Sequence, residues 1–176
     1  MRTTTLLIHF HHITLLDWAV FDSQQHLLHH ATETTLATIP IHENQQVIVL
    51  LPNTEILLTQ VELPTVQRHR LQQAVPYALE EQLAEDIEQL HFALGIRDAE
   101  KRLSVAVMAQ KHLDSYLNAL GELHIVPNLV LPEVLSLPLI SDGWSLMLHR
   151  ERVLVRNRNS LVSRLKWKIS ISFYPE

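Results

Sequence analysis

The sequence predicts a mixed α+β fold (α/β in the broad sense), with mixed sheets and flanking helices. Short apolar runs follow one another closely in the first third of the 176-residue chain, which is typical of an antiparallel strand meander. A long segment with helical apolar spacing comes next, and a strand–helix–strand order follows it. Hydrophobic residues make up 47% of the chain and charged residues 19%, so the chain can bury a sizeable core.

The first third of the chain is predicted to form strands. Residues 5–11, 13–21 and 25–30 form the predicted meander. Residues 47–51 are apolar throughout, as expected of a strand that is covered on both faces. A further strand is predicted at residues 55–63.

The clearest predicted helix covers residues 65–90. Its apolar stripe is formed by Leu71, Val75, Leu79, Leu83, Ile87 and Leu90. Pro76 interrupts this pattern, and a proline inside a helix removes one backbone hydrogen bond and clashes with the preceding turn. We therefore expect a kink or a break there, with Pro76 near the start of a second helical piece.

The second half of the chain predicts a βαβ unit. Residues 102–110 and 124–130 are strand candidates, and between them residues 111–120 have the spacing of a helix that ends at Gly121. The inward residues of this helix are expected to be Leu113, Tyr116, Leu117 and Leu120. This order implies locally parallel pairing. Three further elements are predicted: a strand at residues 91–95, a short helix at 132–137, and a hairpin of 144–149 with 152–156.

Composition and charge exclude several classes of protein. The formal net charge is −5, which argues against a general nucleic-acid-binding protein. The chain contains no cysteine, so a disulfide framework, a thiolate zinc site and a cysteine nucleophile are excluded. No apolar run reaches the roughly 18 residues that a membrane span needs. The sequence also lacks nucleophile-elbow and phosphate-loop motifs, and we expect no catalytic residue and no cofactor.

An acidic cluster is the candidate partner-binding site. Its members are Glu80, Glu81, Glu85, Asp86 and Glu88. On the predicted helix, Glu81, Glu85 and Glu88 fall on one face. Such a face could dock a basic partner, or it could be an ordinary solvated face, which is the more common meaning of such a pattern.

The twelve histidines are predicted to be mostly scattered surface imidazoles. Two groups stand out: His9, His11 and His12, and then His29 with His30. On a strand, His9 and His11 point to the same face, so they could in principle chelate a metal ion. A zinc site normally needs three or four ligands with supporting hydrogen bonds, and no such spacing is evident. We therefore expect no metal site, although a histidine-rich metal-binding protein remains an alternative.

Two sequence motifs resemble a known family. They are P-Y-A-L-E-E-Q-L-A-E-D at residues 76–86 and L-H-F-A-L-G at residues 90–95. Weaker support comes from L-L-D-W at residues 15–18, and from Trp144 followed by R-V-L-V-R at residues 152–156. In combination these motifs resemble the cytoplasmic part of type II secretion system protein L, and the likeness covers roughly residues 1–156.

The resemblance implies an actin-like (RNase H-like) fold and a scaffold function without catalysis. Proteins of this family recruit the secretion ATPase, protein E, to the inner-membrane platform through its N-terminal region. They also contact protein M and form homodimers at the cytoplasmic face of the bacterial inner membrane. A transmembrane helix and a periplasmic domain normally follow this part.

The same resemblance implies a division of this chain. Residues 1–95 are expected to form the first lobe, residues 96–156 a portion of the second lobe with the βαβ unit, and residues 157–176 an atypical basic tail. The family runs well beyond this length. We therefore expect an incomplete second lobe and no membrane helix in this apparently truncated chain.

The scarcity of glycine bears on the alternative function, an actin-like nucleotide-binding ATPase. Such enzymes need glycine in their phosphate-binding loops. The chain contains only Gly95, Gly121 and Gly143, and none lies in the hairpin segments 5–21 or 144–156. This pattern favours a fold that is retained without its nucleotide chemistry.

Overall fold

The computed structural model of the chain describes residues 4–42, 44–64, 67–98, 100–140, 142–149 and 152–157. The chain forms two compact units, Met1–Ser136 and Leu137–Glu176. The predicted basic tail lies outside the described residues apart from Asn157, and so does the predicted start of the first helix at residues 65 and 66.

Ten strands and two α-helices make up the described fold. The strands are β1 (Thr4–His12), β2 (Leu15–Phe21), β3 (Leu27–Thr34), β4 (Gln45–Leu51), β5 (Ile56–Glu62), β6 (Leu90–Arg97), β7 (Arg102–Ala109), β8 (Leu129–Pro132), β9 (Ser145–His149) and β10 (Arg152–Arg156). The helices are α1 (Arg68–Leu79) and α2 (Gln110–Gly121). The predicted fold class is confirmed, because mixed sheets with flanking helices are present.

The first unit contains a five-stranded sheet in the order β3-β2-β1-β4-β8. The strands β1, β2 and β3 form the predicted antiparallel meander. The strand β4 then pairs parallel to β1, and β8 pairs parallel to β4. Three adjacent strands therefore run in the same direction, and their carboxyl ends meet at one edge of the sheet. This edge positions the candidate site described below.

One face of the five-stranded sheet packs against α2. Leu6, Ile8 and Phe10 alternate along β1 and are almost fully buried, as expected of a strand with one face in a core. The ring of Phe10 lies 4.9 Å from the ring of Tyr116, edge to face. Leu120 of α2 is fully buried in the same core.

The first unit also contains a three-stranded antiparallel sheet in the order β5-β7-β6. A second core lies between this sheet and α1. It includes Leu71, Val75 and Leu79 from the helix, and Val105 and Val107 from β7. The division into lobes between residues 95 and 96 stays a prediction. The strand β6 passes through this position and ends at Arg97.

The first helix is shorter than predicted. It ends at Leu79, and Pro76 lies within its last turn, so the expected second helical piece is wrong. The chain instead continues in short 3-10 turns at Glu80–Gln82 and Ile87–Gln89. With these turns, Leu83 and Leu90 still pack against the same core as the helix. The apolar residues of the predicted stripe therefore reach the core without a continuous α-helix.

The two strands that flank α2, β7 and β8, do not pair with each other as the predicted βαβ unit implies. The strand β8 pairs with β4 and not with β7. The physical reason is that β7 is the central strand of its sheet, so β5 and β6 already occupy both of its edges. The inward orientation expected for Leu117 is also wrong, because this residue is exposed.

The second unit contains the hairpin of β9 and β10, which confirms the predicted pairing of these strands. Within this unit, Ser145 Oγ donates a hydrogen bond to the carbonyl oxygen of Pro138. The guanidinium of Arg156 donates to the carbonyl oxygen of Leu137. In the part of the chain described, neither α-helix is long and apolar enough to cross a membrane.

Tyr116 allows a pH test of the first core. Burial raises the pKa of its phenol, and the nearby Glu55 carboxylate, which accepts a hydrogen bond from Tyr116 Oη at 3.1 Å, raises this pKa further. Since the raised pKa favours the neutral phenol in the folded state, this contribution to stability is complete below the ordinary pKa of about 10 and falls as the pH rises above it.

We expect the Tyr116→Phe variant to show the same rise in phenolate absorbance between about pH 9 and 11 as the parent protein. The control is the same titration in urea that unfolds the chain, where Tyr116→Phe should lower the rise because the phenol of Tyr116 is then in water. A smaller rise in folded Tyr116→Phe than in the folded parent protein would show that Tyr116 ionises freely and would contradict the buried phenol.

Candidate functional site

The acidic cluster does not lie on one helical face, so this part of the prediction is wrong. Glu80 and Glu81 lie in the turn that follows α1, and Glu88 lies in the turn that precedes β6. Glu85 and Asp86 lie in the bend between these two turns. The cluster is therefore a compact acidic loop, residues 80–88, that joins α1 to β6. Its role in partner binding stays a prediction.

The acidic loop is exposed, and all of its charged residues are acidic. All five carboxylate residues are exposed, and residues 80–90 contain no lysine or arginine. Among the described residues, the ion pairs do not include any of these five. Leu83 and Ile87 are partly buried between them. Leu83 packs against the second core and holds the loop there, while the carboxylates stay in water.

A second candidate site lies at the carboxyl edge of the five-stranded sheet. In open sheets with parallel strands, ligands bind beyond the carboxyl ends of the strands. Here Asn53 follows β4, Glu133 follows β8, and His9 and His11 lie near the end of β1. We call these residues, together with Asp17 of β2, the edge cluster.

Hydrogen bonds of Asn53 and Glu133 connect the ends of the parallel strands β4 and β8. The amide of Asn53 donates to Glu133 Oε1 at 2.9 Å, and the amide of Val134 donates to Asn53 Oδ1 at 3.1 Å. The side chain of Glu133 is only 3% exposed. Its other oxygen, Oε2, lies 2.8 Å from His9 Nε2. A buried carboxylate needs such partners, because burying it without them would be costly.

His11 is placed by an irregularity in β1. The pairing of β1 with β2 shifts register between Phe10 and His12, so His11 lies in a β-bulge, a feature that often redirects a side chain beside a functional site. The ring of His11 is 5% exposed, and its Nε2 lies 2.9 Å from Asp17 Oδ2. The other oxygen of Asp17, Oδ1, accepts a hydrogen bond from the amide of Glu33 at 2.7 Å.

The expectation of surface imidazoles is therefore wrong for His9 and His11. Their side chains are 16% and 5% exposed, and their rings lie 4.7 Å apart, edge to face. His9, His11 and Asp17 each offer one potential ligand atom, and these atoms lie within 4.8 Å of one another. His12, His29 and His30 are exposed, as predicted.

Only part of the edge cluster can be predicted from the sequence. The alternation of His9 and His11 predicts that they share a face, but Asp17 lies beside them because it is opposite His9 on the neighbouring strand. Glu133 is 124 residues away from His9 in the chain. Only the parallel pairing of β8 with β4 brings it to this edge.

Comparison with known proteins identifies the class of fold. The cytoplasmic domain of EpsL, an inner membrane component of the type II secretion system of Vibrio cholerae, superimposes with a TM-score of 0.74 at 23% identity, covering 88% of this chain and 67% of that domain. A PilM–PilN type IV pilus biogenesis complex gives a TM-score of 0.60 at 16% identity, covering 85% of this chain and 56% of the matched chain. These likenesses define the fold.

Sequence comparison identifies the family. The family model described as type II secretion system (T2SS), protein L matches residues 11–168. Type II secretion system protein L of Dickeya chrysanthemi is 33% identical over 145 residues, covering 80% of this chain and 36% of that protein. The protein L of Pectobacterium carotovorum subsp. carotovorum is 36% identical over 109 residues, covering 61% of this chain and 25% of that protein.

The chain belongs to the type II secretion system protein L family. This confirms the resemblance drawn from residues 76–86 and 90–95. The chain spans little more than a third of the first relative and a quarter of the second, 36% and 25% of their lengths respectively.

The edge cluster makes a prediction about stability. We expect Glu133→Gln to lower the free energy of unfolding by about 1–3 kcal/mol, because the uncharged amide has one acceptor oxygen where the carboxylate has two. If that oxygen accepts from Asn53, only an NH2 group faces His9. The matched control is Glu88→Gln in the acidic loop, which should change stability by less than about 0.5 kcal/mol. Urea denaturation measures both, and equal values would contradict the structural role of Glu133.

Proposed function

We propose that this chain acts without catalysis as a docking component of the type II secretion system. In this proposal it recruits the secretion ATPase, protein E, to the platform at the cytoplasmic face of the bacterial inner membrane. The family match over residues 11–168 carries the proposal. The likeness to a domain described as the cytoplasmic part of an inner membrane component agrees with this location. Protein M and a second copy of the chain are further proposed partners.

The acidic loop is the proposed contact for the N-terminal region of protein E. Its five exposed carboxylates would attract a basic surface, which raises the association rate and selects the partner. A standard interface buries about 800 Å² on each partner, so the loop would supply only part of the contact. The exposed ring of Tyr77, in the last turn of α1, offers apolar area beside it, and aromatic residues are common in interface centres.

Charge reversal tests the acidic loop. We expect Glu81→Lys, Glu85→Lys and Glu88→Lys together to weaken binding of the N-terminal region of protein E by about tenfold or more at low salt. The difference should shrink as salt screens the exposed charges. Titration calorimetry with the two purified proteins measures the affinity.

The control for this experiment is a second triple reversal with the same change in net charge. Glu62, Asp114 and Glu122 are exposed and lie outside the acidic loop, so their change to lysine should have a much smaller effect. If both triple variants lose affinity equally, only net charge matters and the loop is not the contact. If neither loses affinity, protein E binds elsewhere on the chain or not at all.

The absence of catalysis needs its own test. We expect no saturable heat when the purified chain is titrated with ATP and Mg²⁺, because the turn between β1 and β2 consists of Ile13 and Thr14 and lacks the glycine that backbone needs for a close approach to phosphate. The control is the same titration with an actin-like ATPase of known affinity. Saturable binding, or release of phosphate, would favour the alternative nucleotide-binding function.

A further inference from the structure

We propose that the edge cluster is a binding site for one divalent transition-metal ion of the zinc type, with His9, His11 and Asp17 as its protein ligands and Glu133 as the residue that orients His9. This inference goes beyond the proposed docking function and does not depend on it. It rests on the placement of these side chains at one edge of the five-stranded sheet. His9 and His11 lie near the carboxyl end of β1, Glu133 follows β8, and Asp17 lies opposite His9 on the antiparallel strand β2.

The three ligand residues form a compact and suitable donor set. Their ligand atoms lie within 4.8 Å of one another. In a tetrahedral zinc site with bonds of about 2.0–2.1 Å, neighbouring ligand atoms are roughly 3.3 Å apart. His11 Nε2 and Asp17 Oδ2 are 2.9 Å apart, so a small outward shift of these two side chains would allow an ion to bind both.

The remaining hydrogen bonds hold the ligands in place. Asp17 Oδ1 accepts the backbone amide of Glu33, which leaves Oδ2 directed at His11. His9 Nε2 faces Glu133 Oε2, which leaves Nδ1 as its metal-binding atom. A carboxylate bonded to the second ring nitrogen of a histidine ligand is the usual support of a zinc site. Glu133 is itself fixed by the amide of Asn53.

The chemistry of the donors selects the class of metal ion. Two imidazoles and one carboxylate suit Zn²⁺ and related transition metals, whereas Mg²⁺ prefers oxygen ligands and octahedral geometry. The charges also match, because the two carboxylates of Asp17 and Glu133 balance the charge of a divalent ion. Three protein ligands leave a fourth position for water.

The test is a titration of the untagged chain with Zn²⁺ after treatment with a chelator. We expect one saturable site per chain by calorimetry and a rise in melting temperature with Zn²⁺. Mg²⁺ should produce neither effect. His11→Asn and Asp17→Asn should each weaken the affinity for Zn²⁺ by about tenfold or more. Asp17→Asn keeps an oxygen that can accept the amide of Glu33, so this variant tests the ligand with little change to the fold.

The matched control is His29→Asn, because His29 lies on the neighbouring strand β3 and is exposed. It removes one imidazole without touching the edge cluster, and it should keep the affinity of the parent chain. Equal weakening in His11→Asn and His29→Asn would assign the binding to surface histidines and overturn the proposal. So would the absence of saturable binding, which would leave the cluster as a set of ion pairs only. Neither result would bear on docking of protein E, because no partner protein is present in the titration.

Discussion

A carboxylate that is buried at the end of a strand must be matched by donors, and Glu133 shows how this constraint organises the first unit. Its side chain is 3% exposed, and it bonds to the backbone of Asn53 and to the ring of His9. Asn53 follows β4 and His9 lies in β1, whereas Glu133 itself follows β8. The same group therefore joins the ends of β8, β4 and β1, and it makes the parallel arrangement of these strands costly to disturb.

The parallel strands β4 and β8 distinguish this sheet from a simple antiparallel meander. Local sequence signals explain β1, β2 and β3, because each strand follows its neighbour after a short turn. The parallel strands β4 and β8 need long connections, and their order depends on which edges are free. Asn128 contributes to this order, since its side chain accepts the amide of Val47 at 2.7 Å just before β8 begins. The backbone amide of Asn128 also donates to the carbonyl oxygen of Val47 at 2.9 Å, so this residue helps to set the register between distant segments.

Features that depend on local contacts can be predicted from the sequence, whereas features that depend on distant contacts cannot. The strands and the family motifs could be predicted, because alternation along β1 and the spacing of Leu71, Val75 and Leu79 are local properties. The end of α1 could not be predicted from spacing, since Leu83 continues the apolar pattern but reaches the core from a turn. The edge cluster could not be predicted either, because Glu133 meets His9 only through the order of strands in the sheet.

The acidic loop and the edge cluster place negative charge in two different settings. In the loop, the carboxylates are exposed to water, so salt screens their interactions with other charges. At the edge, Asp17 and Glu133 are held by backbone amides and imidazoles, so their contacts lie within the unit. The loop belongs to the connection between α1 and β6, whereas the edge belongs to the five-stranded sheet. A change in one of them is therefore expected to leave the other intact, because each is fastened by its own core. Because of this separation, a change in the surface charge of the loop need not disturb the carboxylates at the edge of the sheet.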